Sequence, residues 1–201
     1  MKTHPSRRPA GFTLVELLVV IAIIAVLAGA GFAAGNAAIQ KAKKATTLST
    51  CTAIETAVNN FYSDYGALPK DAMTADTNLN TKDDKPFLRT LLGLEGTAPT
   101  ALNTRAVKYL SVKEGKAKGS GGTNGLIYTT GGTSDIVGLF DSWGGPFQVV
   151  LDGDWDEKIV VTTAAGQKTL NGRRVAVWSN GADNTGTSST AGKATDDVTT
   201  W

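Results

Sequence analysis

Gly11-Phe12-Thr13-Leu14-Val15-Glu16-Leu17-Leu18-Val19-Val20-Ile21 decides how the rest of this chain is read, because it opens a long apolar run that carries one charge. From Phe12 to Ile39, 22 of 28 residues are apolar, and Glu16 is the only charged side chain between Arg8 and Lys41. A bilayer core of about 30 Å needs about 20 helical residues at 1.5 Å each. The run from Leu17 to Ile39 is long enough to span it, with Asn36 as its one strongly polar side chain. Lys2, Arg7 and Arg8 precede the run without an acid. By the positive-inside rule the short N-terminus stays cytoplasmic and everything after Lys41 is exported.

Two other readings fit a basic start followed by an apolar run. A secretory signal peptide would use Ala28-Gly29-Ala30 as its small-residue site, and Arg7-Arg8 would suit twin-arginine export. A plain uncleaved anchor is the second. Against a signal peptide, Glu16 interrupts the run near its cytoplasmic end, and the apolar character continues past Ala30 to Ile39.

The opening stretch resembles the class III signal of type IV pilins and type II secretion pseudopilins. The resemblance implies that a prepilin peptidase cleaves after Gly11 and methylates the new N-terminal Phe12, so that Glu16 falls at the fifth mature position. A carboxylate within a membrane helix costs about 2.5 to 3.5 kcal/mol on insertion scales, so its retention asks for a partner or a function. In the family that partner is the cleaved amine: Glu16 would pair with Phe12 of a neighbouring subunit, neutralising both charges and fixing axial register. The alternative is a Glu16 that sits at headgroup level.

The helical pattern continues beyond the apolar run. Cys51, Ile54, Val58, Phe61, Tyr62 and Tyr65 recur at spacings of three and four, leaving Lys41, Lys43, Lys44, Glu55, Asn59 and Asp64 to face water. One proline-free helix over Phe12 to Tyr65 is expected, about 80 Å at 1.5 Å per residue. Cys51 lies on the apolar stripe and reads as a buried small side chain. Many pilin relatives carry a proline in mid-helix, where this chain has Gly29, Gly31 and Gly35. These soften the helix or allow close packing, and both readings stay open. The helix should stop at Tyr65-Gly66-Ala67-Leu68-Pro69, where glycine supplies a C-cap and proline prevents continuation. This exit is also similar to the pseudopilins.

Further on, Pro86 to Leu94 is a short helix candidate and Ala106 to Val112 a strand or turn. Ten of the 23 glycines lie between Gly115 and Gly145, marking loops around a strand at Leu126 to Thr130. Phe147 to Leu151 and Lys158 to Thr163 read as a hairpin, with Val175 to Ser179 as a third antiparallel strand. Asp141-Ser142-Trp143-Gly144-Gly145-Pro146-Phe147 resembles the sheet entrance of major pseudopilins. The expected fold is α+β: a long N-terminal transmembrane helix packed on a small antiparallel β-sheet head with an irregular C-terminal loop. The expected divisions are a leader at 1–11, a membrane and assembly half-helix at 12–39, an amphipathic half-helix at 40–65, a connecting region at 66–125, and the sheet with its C-terminal loop at 126–201.

Candidate chemistry is confined to acids. Asp152, Asp154 and Asp156 have the opening spacing of an EF-hand, but Glu157 stands at its glycine position and Thr163 at its twelfth, which favours a solvated turn. Ser179-Asn180-Gly181-Ala182-Asp183-Asn184 followed by Asp196-Asp197-Val198-Thr199-Thr200-Trp201 is similar to the calcium loop of major pseudopilins. That resemblance implies Ca2+ held by the side chains of Asp183, Asp196 and Asp197 and by carbonyls near Asn180 and Ala194. A longer Ser/Thr/Gly-rich insert separates the two halves here, and a disordered polar tail is the competing reading.

Totals narrow the function. The 201 residues include 20 basic and 18 acidic ones, one cysteine and one histidine, His4. An intramolecular disulfide is impossible, and imidazole-based catalysis or metal binding is disfavoured. Loss of Lys2, Arg7 and Arg8 with the leader leaves 17 basic against 18 acidic residues, and His4 goes with them. A near-neutral, histidine-free chain suits assembly more than catalysis. The leading expectation is a non-enzymatic type II secretion pseudopilin that polymerises with its own copies from the bacterial inner membrane into a periplasmic pseudopilus. Its partners would be prepilin peptidase, the inner-membrane assembly platform, minor pseudopilins and membrane lipid, with no nucleic acid. A type IV or competence pilin, making an extracellular fibre for adhesion, motility or DNA uptake, is the alternative within the family. A membrane-tethered metal-dependent hydrolase is the remote one.

Overall fold

The structure, a computed structural model, describes residues 11–96, 99–129, 135–163, 165–184 and 196–201. The leader residues 1–10, with His4, and the predicted ligand Ala194 lie outside them. The chain divides into two units, Met1–Ala42 and Lys43–Trp201.

Helix α1 runs over Leu14–Tyr65 without a break at the glycines. In the first unit Phe12, just ahead of the helix, and the helix's large apolar side chains, including Leu14, Leu18, Ile24, Leu27 and Ile39, are exposed. By length and composition α1 is able to cross a membrane. A surface of this kind needs lipid or protein against it. A Cβ at Gly29 or Gly35 would meet nothing within 4 Å, so no contact within the chain requires glycine there.

In the second unit α1 turns amphipathic and ends as expected, with Gly66 in the left-handed region at φ +64° and its N–H on the Tyr62 carbonyl. There follow β1 (Thr77–Asn80), α2 (Lys85–Leu92), β2 (Lys116–Lys118), β3 (Gly121–Thr123), β4 (Gly125–Tyr128), β5 (Ile136–Phe140), β6 (Phe147–Leu151), β7 (Lys158–Thr163), β8 (Gly166–Asn171), β9 (Val175–Ser179) and β10 (Val198–Thr199). The main sheet has the order β1-β6-β9-β10 and is antiparallel throughout. The pairs β2-β3, β4-β5 and β7-β8 form separate two-stranded ladders.

Alternation along the strands sorts the core into two faces. Phe147, Val149, Leu151, Val175 and Val177 cluster with Cys51, Ile54, Val58 and Phe61 of α1 and with Phe87, Leu88 and Leu91 of α2. Val150, Ala176 and Trp178 cluster with Ile159, Val161 and Leu170 of the β7-β8 hairpin. The sheet therefore lies between the amphipathic part of α1 and a two-stranded cover, which is why β9 is buried along its whole length.

One expectation changes, and another is decided between its alternatives. β6 and β7 are not a hairpin: β6 pairs with β1 and β9, while β7 pairs with β8. β8 is polar apart from Leu170 and lies mostly exposed, so no apolar alternation announces it. Of the strand or turn expected at Ala106 to Val112, it is a turn that forms. Ala106 closes a turn on Asn103, and the N–H groups of Tyr109 and Leu110 both donate to the Leu91 carbonyl, pinning the segment to α2.

Candidate functional site

The first candidate site is the start of α1. Thr13 precedes the helix, and its side chain and that of Glu16 cap each other's backbone. Glu16 Oε2 accepts from Thr13 N (2.8 Å) and Thr13 Oγ1 (2.7 Å), and Glu16 N donates to Thr13 Oγ1 at 3.3 Å. This is a reciprocal capping box, satisfying amide donors that a helix start leaves without partners. Gly11, Phe12 and Glu16 are all exposed. Glu16 thus has a local partner in the single chain, one that sequence reasoning overlooked although Thr-x-x-Glu before an apolar run signals it. A pairing of Glu16 with a neighbour's amine would exchange this cap for an ion pair.

The second candidate site is the end of β9 and the chain that returns beside it. β10 pairs with β9 so that Val198 lies opposite Ser179, which brings residues 196 and 197 to the end of β9. There Asp196 Oδ2 accepts from Ala182 N (3.0 Å) and Asp183 N (3.1 Å). Asp196 Oδ1 is buried with no hydrogen-bond partner. Asn180 uses its side-chain oxygen to accept from Trp178 Nε1 at 3.1 Å. Asp197 instead lines a cavity of about 410 Å³ with Thr163, Gln167, Lys168 and Trp201.

Asp141 joins this region to the sheet entrance. Its Oδ1 accepts from the backbone N–H of Trp143, Gly144 and Gly145, at 2.7 to 2.9 Å, and its Oδ2 accepts from Ser179 Oγ. Ser179 Oγ in turn accepts from Gly181 N at 3.1 Å. One buried carboxylate therefore shapes the turn before β6 and holds the last residue of β9. The Ser142 side chain and the buried Thr47 of α1 are hydrogen bonded at 3.2 Å, which ties that same turn to the helix.

Among the described residues, the three carboxylates whose oxygens all lie within 4.8 Å of one another are Asp76, Asp152 and Asp154, not the C-terminal trio. This differs from the solvated turn expected at 152–156: Asp154 and Asp156 are exposed, but Asp152 is buried. Asp76 could not be found from sequence, because it stands alone and reaches the others through strand pairing.

The lone Cys51 is fully buried, its Sγ 4.0 Å from the Val198 carbonyl oxygen. Burial first, and then the charge of Asp141, push its thiol well above the ordinary range, so it is an inert packing residue.

Compared with known families, residues 6–32 match the model of the prokaryotic N-terminal methylation motif. No curated protein and no solved structure matches the chain. The matched segment contains Gly11, Phe12 and Glu16 and supports a type IV pilin-like protein. Such a motif indicates a structural subunit and implies processing by prepilin peptidase and assembly into a fibre. With the apolar α1 it fits a membrane-anchored protein.

Proposed function

We propose that this chain is a structural subunit of a type II secretion pseudopilus. Prepilin peptidase cleaves it after Gly11 and methylates Phe12, and the exposed apolar half of α1 holds it in the inner membrane with its head in the periplasm. It then polymerises with its own copies on an assembly platform, with minor pseudopilins, to drive secretion. The observation that carries this reading is the methylation motif at residues 6–32 set at the head of a 52-residue helix whose first half is apolar and uncovered. Burying those side chains against lipid, and then against neighbouring helices, is the natural resolution of so much exposed apolar surface. Glu16 supplies register by accepting the Phe12 amine of a neighbour in place of Thr13.

The choice of a pseudopilus over a pilus rests on the C-terminal loop. Cys51 is buried in the core and is the only cysteine, so no disulfide closes the loop. An ion is the remaining staple. The orphaned, buried Asp196 Oδ1 fits a hard cation, and Asp183, Asp196 and Asp197 with the Asn180 and Ala194 carbonyls would hold Ca2+. When bound, it would cross-link the end of β9 to the chain returning into β10.

Gene deletion in the native host separates the two fibre types. Loss of protein secretion with surface fibres intact is the expected result. Loss of surface fibres, twitching or DNA uptake with secretion intact would make the chain a pilin.

A further inference from the structure

The antiparallel register of β1 and β6 sets Thr77 opposite Leu151, so the chain just before β1 and the chain just after β6 meet at one edge of the sheet. Asp76 and Asp152 occupy those two positions. Gly153 lets the backbones close on each other, since a Cβ there would fall on the Ala75 carbonyl oxygen. Asp154 joins from the same turn, completing the group of three carboxylates with oxygens within 4.8 Å of one another.

Proximity of acids alone would mean little, but Asp152 is buried and half-buried Asp76 also has one oxygen shut off from water. Asp152 is only 1% exposed; its Oδ2 accepts from Glu157 N at 3.1 Å, and its Oδ1 is buried with no hydrogen-bond partner. Asp76 repeats the pattern, with Oδ2 accepting from Val160 N at 3.3 Å and Oδ1 buried without a partner. Among the described residues none of the three makes an ion pair with lysine or arginine. Carboxylates gathered this closely, two of them with a buried unpartnered oxygen and none with a counter-charge, are unfavourable unless a cation or a proton sits between them.

We propose that Asp76, Asp152 and Asp154 form a calcium site at the β1–β6 edge, separate from the C-terminal loop. The donors are all hard oxygens, which excludes a preference for soft metals. They come from irregular chain at two strand ends, which suits the flexible coordination of Ca2+ better than the near-ideal octahedron that Mg2+ demands, and water completes the shell. Asp156, the third acid of the Asp-x-Asp-x-Asp run, is not a ligand: its carboxylate accepts from Lys158 N (2.8 Å) and pairs with Lys158 Nζ at 3.4 Å. Bound there, the ion would fasten the start of β1 to the β6–β7 connection.

Isothermal titration of chelator-stripped, full-length protein in detergent with CaCl2, alongside terbium luminescence excited through tryptophan, tests this. Trp155 in the same turn serves as the sensitiser. Asp154→Asn is the main variant because Asp154 is exposed and the substitution leaves the fold intact, with circular dichroism as control. Asp154→Asn and Asp76→Asn should each weaken Ca2+ binding at this site at least tenfold, whereas Asp196→Asn should leave it unchanged. Wild-type affinity and stoichiometry in either of the first two variants would overturn the proposal, as would no binding to the wild type at about 1 mM Ca2+, the weak end of extracellular calcium modules. Loss of binding in Asp196→Asn alone would place calcium in the C-terminal loop and likewise overturn it.

Discussion

Asp64 closes the end of α1 onto the segment after α2. Its Oδ2 accepts from Tyr109 Oη at 2.6 Å and pairs with the Arg105 guanidinium, while Arg105 N donates to Tyr65 Oη at 3.1 Å. The Tyr109 hydrogen bond foremost, and then Arg105, hold the Asp64 carboxyl below its ordinary range. A depressed folded-state value means that this contribution to stability is fully present above the unfolded value, about 3.9, and is lost as pH falls through the folded one. NMR titration should therefore give Asp64 a midpoint below that of an unstructured aspartate, and Asp64→Asn should flatten the acid limb of the stability profile. Cys51 gives a second residue-scale test: alkylation by iodoacetamide at pH 8 should be negligible in the folded protein and complete in denaturant. Fast labelling of folded protein would contradict the burial. Both the thiol's inertness and the Gly66 stop could be read from the sequence, because each follows from local spacing. The Thr13–Glu16 cap was equally legible and was hidden by the stronger signal around it. Asp76 was not legible, since nothing near it in the chain marks it.

α1 is the element that the sequence foretold best, because a 3.6-residue period sustained over many turns has no competing explanation. Its amphipathic part is also where the head's stability is concentrated. Phe61 is 1% exposed, stacks on Tyr65 with centroids 4.7 Å apart and meets the edge of Tyr109 at 5.5 Å. Phe61→Ala should cost about 3 to 5 kcal/mol in denaturant unfolding monitored by tryptophan fluorescence. A cost below about 1 kcal/mol would mean that the helix does not pack on the sheet as described. The strands were located from their apolar runs, with β6, β7 and β9 falling at their expected bounds. Their partners were not. Sequence adjacency suggested that β6 and β7 pair, but β9 competes for β6 with five buried residues, and the polar β8 is free to pair with β7. Pairing is decided by which faces must be covered, and that is a property of the assembled layers.

For the molecule as a whole, the two units have opposite chemistries. The large apolar side chains from Phe12 to Ile39 lie exposed, whereas Lys43–Trp201 buries its own core and exposes a polar surface. Glu16 is the one carboxylate in the apolar part, and capping Thr13 does not require a charge, since glutamine closes a capping box as well. The proposed assembly gives the acid a use: cleavage after Gly11 would create an amine at Phe12, and a carboxylate in the neighbouring subunit would neutralise it. The most direct test is Glu16→Ala expressed with prepilin peptidase and the assembly machinery. Mass spectrometry of the N-terminus should still find N-methylated Phe12, while sheared-fibre yield falls to background. Normal fibres from Glu16→Ala would contradict the account.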